Sequence, residues 1–187
     1  MDKKLAVLFP GIGYHCDKPL LYYSKKLARQ QGYEVVEIHY DFDGEILDVK
    51  NNAHRMMEAV EEFGRQAQSQ LADISFDQYT SVVFVGKSIG TAIAARLAKG
   101  KELSVKQVVL TPVPDTLKNL PKENTIVFHG LSDPWCDNDI VDRAQAETGF
   151  ELHLVEGANH SLETGDPMRD LEIVREVIEK VASSVIL

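Results

Sequence analysis

The pentapeptide Gly86-Lys87-Ser88-Ile89-Gly90 sets a hydroxyl between two glycines, directly after the apolar run Ser81–Val85 and directly before an Ala-rich stretch. A G-x-S-x-G sequence between a strand and a helix forms a sharp turn that lifts the serine above the sheet. The glycines remove Cβ atoms that would otherwise collide with the adjacent helix and strand. The hydroxyl then stands at a helix N-terminus, where developing negative charge is stabilised. The chemistry this predicts for Ser88 is nucleophilic attack on a carbonyl carbon. Two other readings compete. A serine beside packing glycines can simply cap a helix. Gly86-Lys87-Ser88 can also end a phosphate-binding loop, but its first glycine would fall at position 81, which is Ser81, and Val82–Val85 read as strand core.

A serine hydroxyl needs a base, and the base needs a carboxylate to orient it. Both are expected after later strands, in the order serine, acid, histidine. Asp133 lies in His129-Gly130-Leu131-Ser132-Asp133-Pro134-Trp135, and His160 lies in Glu156-Gly157-Ala158-Asn159-His160-Ser161-Leu162. Asp133 comes 45 residues after Ser88, and His160 27 residues after that, each interval about one strand-plus-helix unit. Asp133 before Pro134 could instead start a turn. Asp137 and Asp139 are substitute carboxylates that read better as helix-starting residues, and Glu163 and Asp166 read as surface. His129 sits inside a strand and reads as a core or supporting residue. His15, His39, His54 and His153 lack the right strand-end position or chain order.

The oxyanion of a tetrahedral intermediate needs backbone donors. The Ile89 amide, next after the nucleophile, is one. The loop Phe9-Pro10-Gly11-Ile12-Gly13-Tyr14 offers the other, with Ile12 ahead of Gly11. Its G-x-G lacks the third spaced glycine of a dinucleotide fingerprint. Cys16 and Cys136 are too few for a disulfide scaffold, match no metal motif, and read as buried or partly exposed thiols.

Six short apolar runs must position these groups: Leu5–Phe9, Tyr33–His39, Ser81–Val85, Val105–Leu110, Thr125–His129 and Phe150–Val155. Most lack polar alternation, as strands buried on both faces do. Helical patterns separate them at Leu20–Gln31, Ala53–Leu71, Ile89–Ala98, Ile140–Ala146 and Leu171–Val185. Met56, Met57, Val60 and Phe63 form an apolar stripe on the second, and Asn138 or Asp139 is the expected N-cap of the fourth. Thr111–Asn124, with three prolines, reads as an ordered loop. The alternation predicts a single α/β domain over residues 1–187, with a doubly wound, mostly parallel sheet and helices on both faces. Ligands of such sheets bind at the carboxyl ends of the strands.

Lys plus Arg is 20 against Asp plus Glu 29, a formal charge of −9. That surface repels phosphate backbones and argues against nucleic acid as a partner. Met1-Asp2-Lys3-Lys4 precedes only five apolar residues, no signal peptide is read there, and no apolar run reaches a membrane span. The expected location is cytoplasmic, with no membrane partner.

In Pro10-Gly11-Ile12-Gly13, Gly86-Lys87-Ser88-Ile89-Gly90, His129-Gly130-Leu131-Ser132-Asp133 and Gly157-Ala158-Asn159-His160, the sequence resembles a small α/β-hydrolase-fold serine hydrolase over essentially its whole length. The dienelactone hydrolase-like and carboxylesterase branch is most similar, although dienelactone hydrolases proper use cysteine where this chain has Ser88. The resemblance implies hydrolysis of small carboxylic esters or thioesters through an acyl-enzyme, with Ser88, Asp133 and His160 catalytic, Ile12 and Ile89 as oxyanion donors, and no metal or other cofactor. The first strand starts near Leu5, so the family's first two strands are missing and the sheet is expected to be six-stranded. Only Thr111–Asn124 occupies the interval of the usual cap domain. The site is therefore expected to be open, lined by Gly11, Ile12, Tyr14, Lys87, Val113 and Trp135, with Lys87 a solvated lysine or an attractor of anionic substrates. A binding protein of the same fold with little turnover, or an amidase or peptidase using the same residues, are the alternative functions.

Overall fold

The computed structural model describes residues 2–41, 49 and 52–186. The six apolar runs form one parallel sheet in the order β2-β1-β3-β4-β5-β6. The strands are β1 Lys4–Phe9, β2 Glu34–Glu37, β3 Ser81–Ser88, β4 Lys106–Pro112, β5 Thr125–Gly130 and β6 Glu151–Val155. Helices α1 Pro19–Gln30 and α6 Pro167–Val181 cover one face; α2 Ala53–Gln70, α3 Ile89–Gly100 and α5 Asn138–Thr148 cover the other. The side-chain period of two assigns each strand residue to a face. Val83, Val85, Val108, Leu110, Ile126 and Phe128 pack under α1 and α6, whereas Val82, Phe84, Val109 and Val127 meet α2, α3 and α5.

Several boundaries differ from expectation for local reasons. Helix α6 starts a turn earlier, because Asp166 accepts from the Met168 amide (3.0 Å) and Pro167 occupies a first-turn position where its missing N–H is harmless. Asp137, not Asn138 or Asp139, is the N-cap of α5. In α2 the buried row runs Ala59, Val60, Phe63 and Ala67, and Met57 lies off it, 50% exposed. Thr111–Asn124 is not all loop: Thr111 and Pro112 extend β4, and α4 (Pro114–Leu117) follows. Arg96 grips Asp115 with two bonds (2.6 and 2.8 Å), and the Thr91 and Thr116 hydroxyls meet at 2.6 Å, fastening α4 to α3. No cap stands between β4 and β5. No helix among the described residues is long and apolar enough to cross a membrane.

Candidate active site

Ser88 ends β3 with φ 56° and ψ −128°, a conformation non-glycine residues avoid. The turn is held by close packing. A Cβ on Gly90 would stand 2.1 Å from the Phe9 carbonyl oxygen, and one on Gly86 would stand 2.7 Å from the Thr91 Cα. The Ser88 side chain makes no capping bond to α3. Its Oγ instead lies 2.7 Å from His160 Nε2, and His160 Nδ1 lies 2.7 Å from Asp133 Oδ2.

Asp133 reaches this position because the β5–α5 and β6–α6 loops are joined directly. The Leu131 amide donates to the Val155 carbonyl (3.0 Å) and the Ser132 amide to the Ala158 carbonyl (2.9 Å). Only a glycine fits at position 130, where a Cβ would come within 2.4 Å of the Ala158 oxygen. Asp133 accepts from the Trp135 amide at 2.8 Å through its other oxygen, and its side chain is fully buried. The His160 loop is tied by Asn159, whose side-chain oxygen accepts from the Ser161 and Glu163 amides. Trp135 stacks on the His160 ring, centroids 5.2 Å apart.

An acceptor-only carboxylate at Nδ1 places the proton there, leaving Nε2 to accept from the serine hydroxyl. Burial pushes His160 below its ordinary pKa. Asp133 pulls the other way, and the nearby Lys87 charge adds to the lowering. The imidazole is thus neutral at neutral pH, the form that can take a proton.

The loop after β1 crosses directly beside Ser88: a Cβ on Gly11 would stand 2.9 Å from the Ser88 Cβ. The Gly11 amide is spent on the Tyr14 carbonyl (3.1 Å). Among the described residues the Ile12 amide has no hydrogen-bond partner. Ile89 is the first residue of α3, where helix amides lack intrahelical acceptors.

Two expected lining residues face elsewhere. Lys87 is neither solvated nor at the rim: it is 1% exposed, because it continues the Val83–Val85 row under α1. Tyr14 is buried as well; its hydroxyl accepts from the Leu20 amide (3.2 Å), and burial raises its pKa to about 12. Gly11 and Trp135 do border the site. Trp135, Val113, Pro114, Met56, Met57 and Val60 line a mainly apolar cavity of about 410 Å³. His129, buried, bonds Asn138 through Nε2 (2.8 Å), and Asn138 donates to the Leu131 carbonyl (3.2 Å), closing the loop that carries Asp133. Cys16 and Cys136 are buried thiols, each raised to about 12 by burial, with no nucleophilic character near neutral pH. Among the described residues no group of three His, Cys, Asp or Glu side chains is placed to hold a metal.

The model of the alpha/beta hydrolase domain family matches residues 2–185. The chain belongs to that family. Solved structures agree on the fold of this alpha/beta hydrolase. An alpha-beta serine hydrolase homologue from Coxiella burnetii is 14% identical, covering 96% of this chain and 85% of its own, with a TM-score of 0.62. Est1E from Butyrivibrio proteoclasticus, solved with ferulic acid bound, is 11% identical over 98% and 90%, with a TM-score of 0.64. An a/b serine hydrolase without lid from Xanthomonas campestris is 12% identical over 99% and 84%, with a TM-score of 0.57. No curated protein matches the chain.

Proposed function

We propose that this alpha/beta hydrolase is a serine hydrolase that cleaves small carboxylic esters or thioesters. The observation that carries the reading is the continuous relay from Ser88 Oγ through His160 to the buried Asp133, at 2.7 Å in each step. Ser88 attacks the substrate carbonyl as its proton passes to His160 Nε2. The new C–O bond gives a tetrahedral oxyanion, which accepts from the Ile89 and Ile12 amides. Asp133 holds the imidazole in the productive tautomer and stabilises the imidazolium. His160 then delivers the proton to the departing alcohol or thiol, leaving an acyl-serine. A water deprotonated by His160 releases the acid and restores Ser88.

The open interval between β4 and β5 and the cavity beside Trp135 suit a compact substrate with an apolar group. Turnover of short aryl esters and thioesters by wild-type and Ser88→Ala proteins tests the proposal. The expected result is a fall in kcat of roughly 10³–10⁶-fold with the fold retained. A Ser88→Ala protein that keeps most of its esterase activity would refute it.

A further inference from the structure

We infer that Lys87 is a positioning residue for His160: it holds the main chain of the proposed base against the strand that carries the nucleophile. The inference rests on the serine-hydrolase reading above. The Lys87 ammonium donates to the His160 carbonyl oxygen at 2.6 Å and to Thr111 Oγ1 at 2.6 Å. The Tyr14 ring covers it, with its centroid 4.7 Å from Nζ. No other donor reaches the His160 carbonyl among the described residues.

The second partner is itself unusual. Lys87 pairs with Leu110, but Ser88 pairs with Pro112, so Thr111 is the extra residue of a bulge in β4. It has φ 47°, a conformation strained for a β-branched side chain. Strain of this kind persists only where the surroundings impose it. The Lys87 side chain thus ties together the turn at Ser88, the bulge opposite it and the loop bearing His160. All three must be in register for the Ser88–His160 bond to form.

Stability does not account for a lysine here. Among the described residues no carboxylate pairs with Lys87 within ion-pair distance, and a buried charge bonded only to neutral oxygens carries a desolvation cost that an apolar side chain of similar length would avoid. What the apolar side chain could not do is hold the His160 carbonyl.

Lys87→Met tests this, with steady-state kinetics on a short aryl ester. Misplacing a catalytic group by about 1 Å can cost roughly 10²-fold. The expected result is therefore a 10–100-fold fall in kcat with KM changed less than about threefold. The acid limb of the kcat/KM profile should also move to higher pH, because a cation no longer opposes the imidazolium. Among the described residues Asp133 and His129 also act on His160, and Lys18, Asp133 and Glu163 act on Lys87; all stay in place. A kcat within twofold of wild type, or a fall with an unmoved acid limb and lost stability, would overturn the inference. If Lys87→Met does not fold, Thr111→Val removes one of the two acceptors at nearly constant volume. It should lower kcat several-fold at unchanged KM, and an unchanged kcat would overturn the inference. Ser88→Ala separates the two levels. Ser88-dependent turnover with an unaffected Lys87→Met sinks the positioning role alone, and turnover that survives Ser88→Ala sinks both.

Discussion

Among the described residues two lysines are buried, and their surroundings differ in kind. Lys25, on α1, is 6% exposed and reaches Asp17 (3.1 Å) and Glu37 (2.9 Å). Burial opposes its charge, but the two carboxylates outweigh burial and hold the ammonium above the ordinary lysine value. Lys87, 1% exposed, has two neutral oxygens and a ring face, and burial pushes it down to about 7. The first arrangement joins a helix to a strand edge through paired opposite charges. The second leaves a cation unneutralised beside Ser88. The contrast separates a lysine that serves the fold from one that serves the geometry of a site.

The largest expected effect breaks the relay that gives Lys87 its purpose. Asp133→Asn keeps the shape but presents a donor to His160 Nδ1 and favours the wrong tautomer, so kcat should fall by roughly 10⁴-fold. Steady-state hydrolysis checks this, and a loss of tenfold or less would remove Asp133 from the mechanism. Lys87→Met should follow, with its smaller fall in kcat. Lys25→Met should leave kcat within about twofold and lower stability by about 1 kcal/mol. The figure is modest because Asp17 is exposed and Arg29 remains 3.4 Å from Glu37. Denaturant unfolding beside activity distinguishes the two lysines.

Their pH dependences have opposite signs, which sharpens the comparison at the smallest scale. The native-state pKa of Lys87 lies below its unfolded value of about 10.5, so the unfolded chain binds the extra proton and stability rises with pH. Its penalty is full below about pH 7 and fades between there and about 10.5. Lys25 is raised, so its stabilisation is fully present below the ordinary lysine value and is lost as pH climbs through the raised one. Unfolding of wild-type and Lys87→Met proteins from about pH 6 to about pH 10 should show any stability advantage of the variant shrinking as pH rises. A gap independent of pH would mean that Lys87 does not carry the buried charge described here.

Most of the fold was legible because burial on both faces of a parallel sheet leaves runs such as Val82–Val85 and Ile126–Phe128 without polar interruption. The positions of Ser88, Asp133 and His160 were legible because each follows such a run at its carboxyl end. Lys87 was not, since the apolar run stops at Val85 while the strand continues to Ser88. Carrying the alternation of Val83 and Val85 two residues further places Lys87 inward, and that was the available signal. Helix α4 was hidden by its length of four residues and by the prolines in and around it; the Arg96–Asp115 contact that fastens it joins residues far apart in sequence. The Trp135 stack on His160 and the Asn138 bond to His129 also depend on where loops meet, which no local pattern encodes.

Activation of Ser88 by His160 is the step on which the proposed hydrolysis depends. Labelling with a fluorophosphonate probe, located by mass spectrometry in wild-type, Ser88→Ala and His160→Ala proteins, tests it most directly. The expected result is a single adduct on Ser88 that disappears in both variants. Folded wild-type protein that takes no label, or an adduct that persists when His160 is removed, would contradict it.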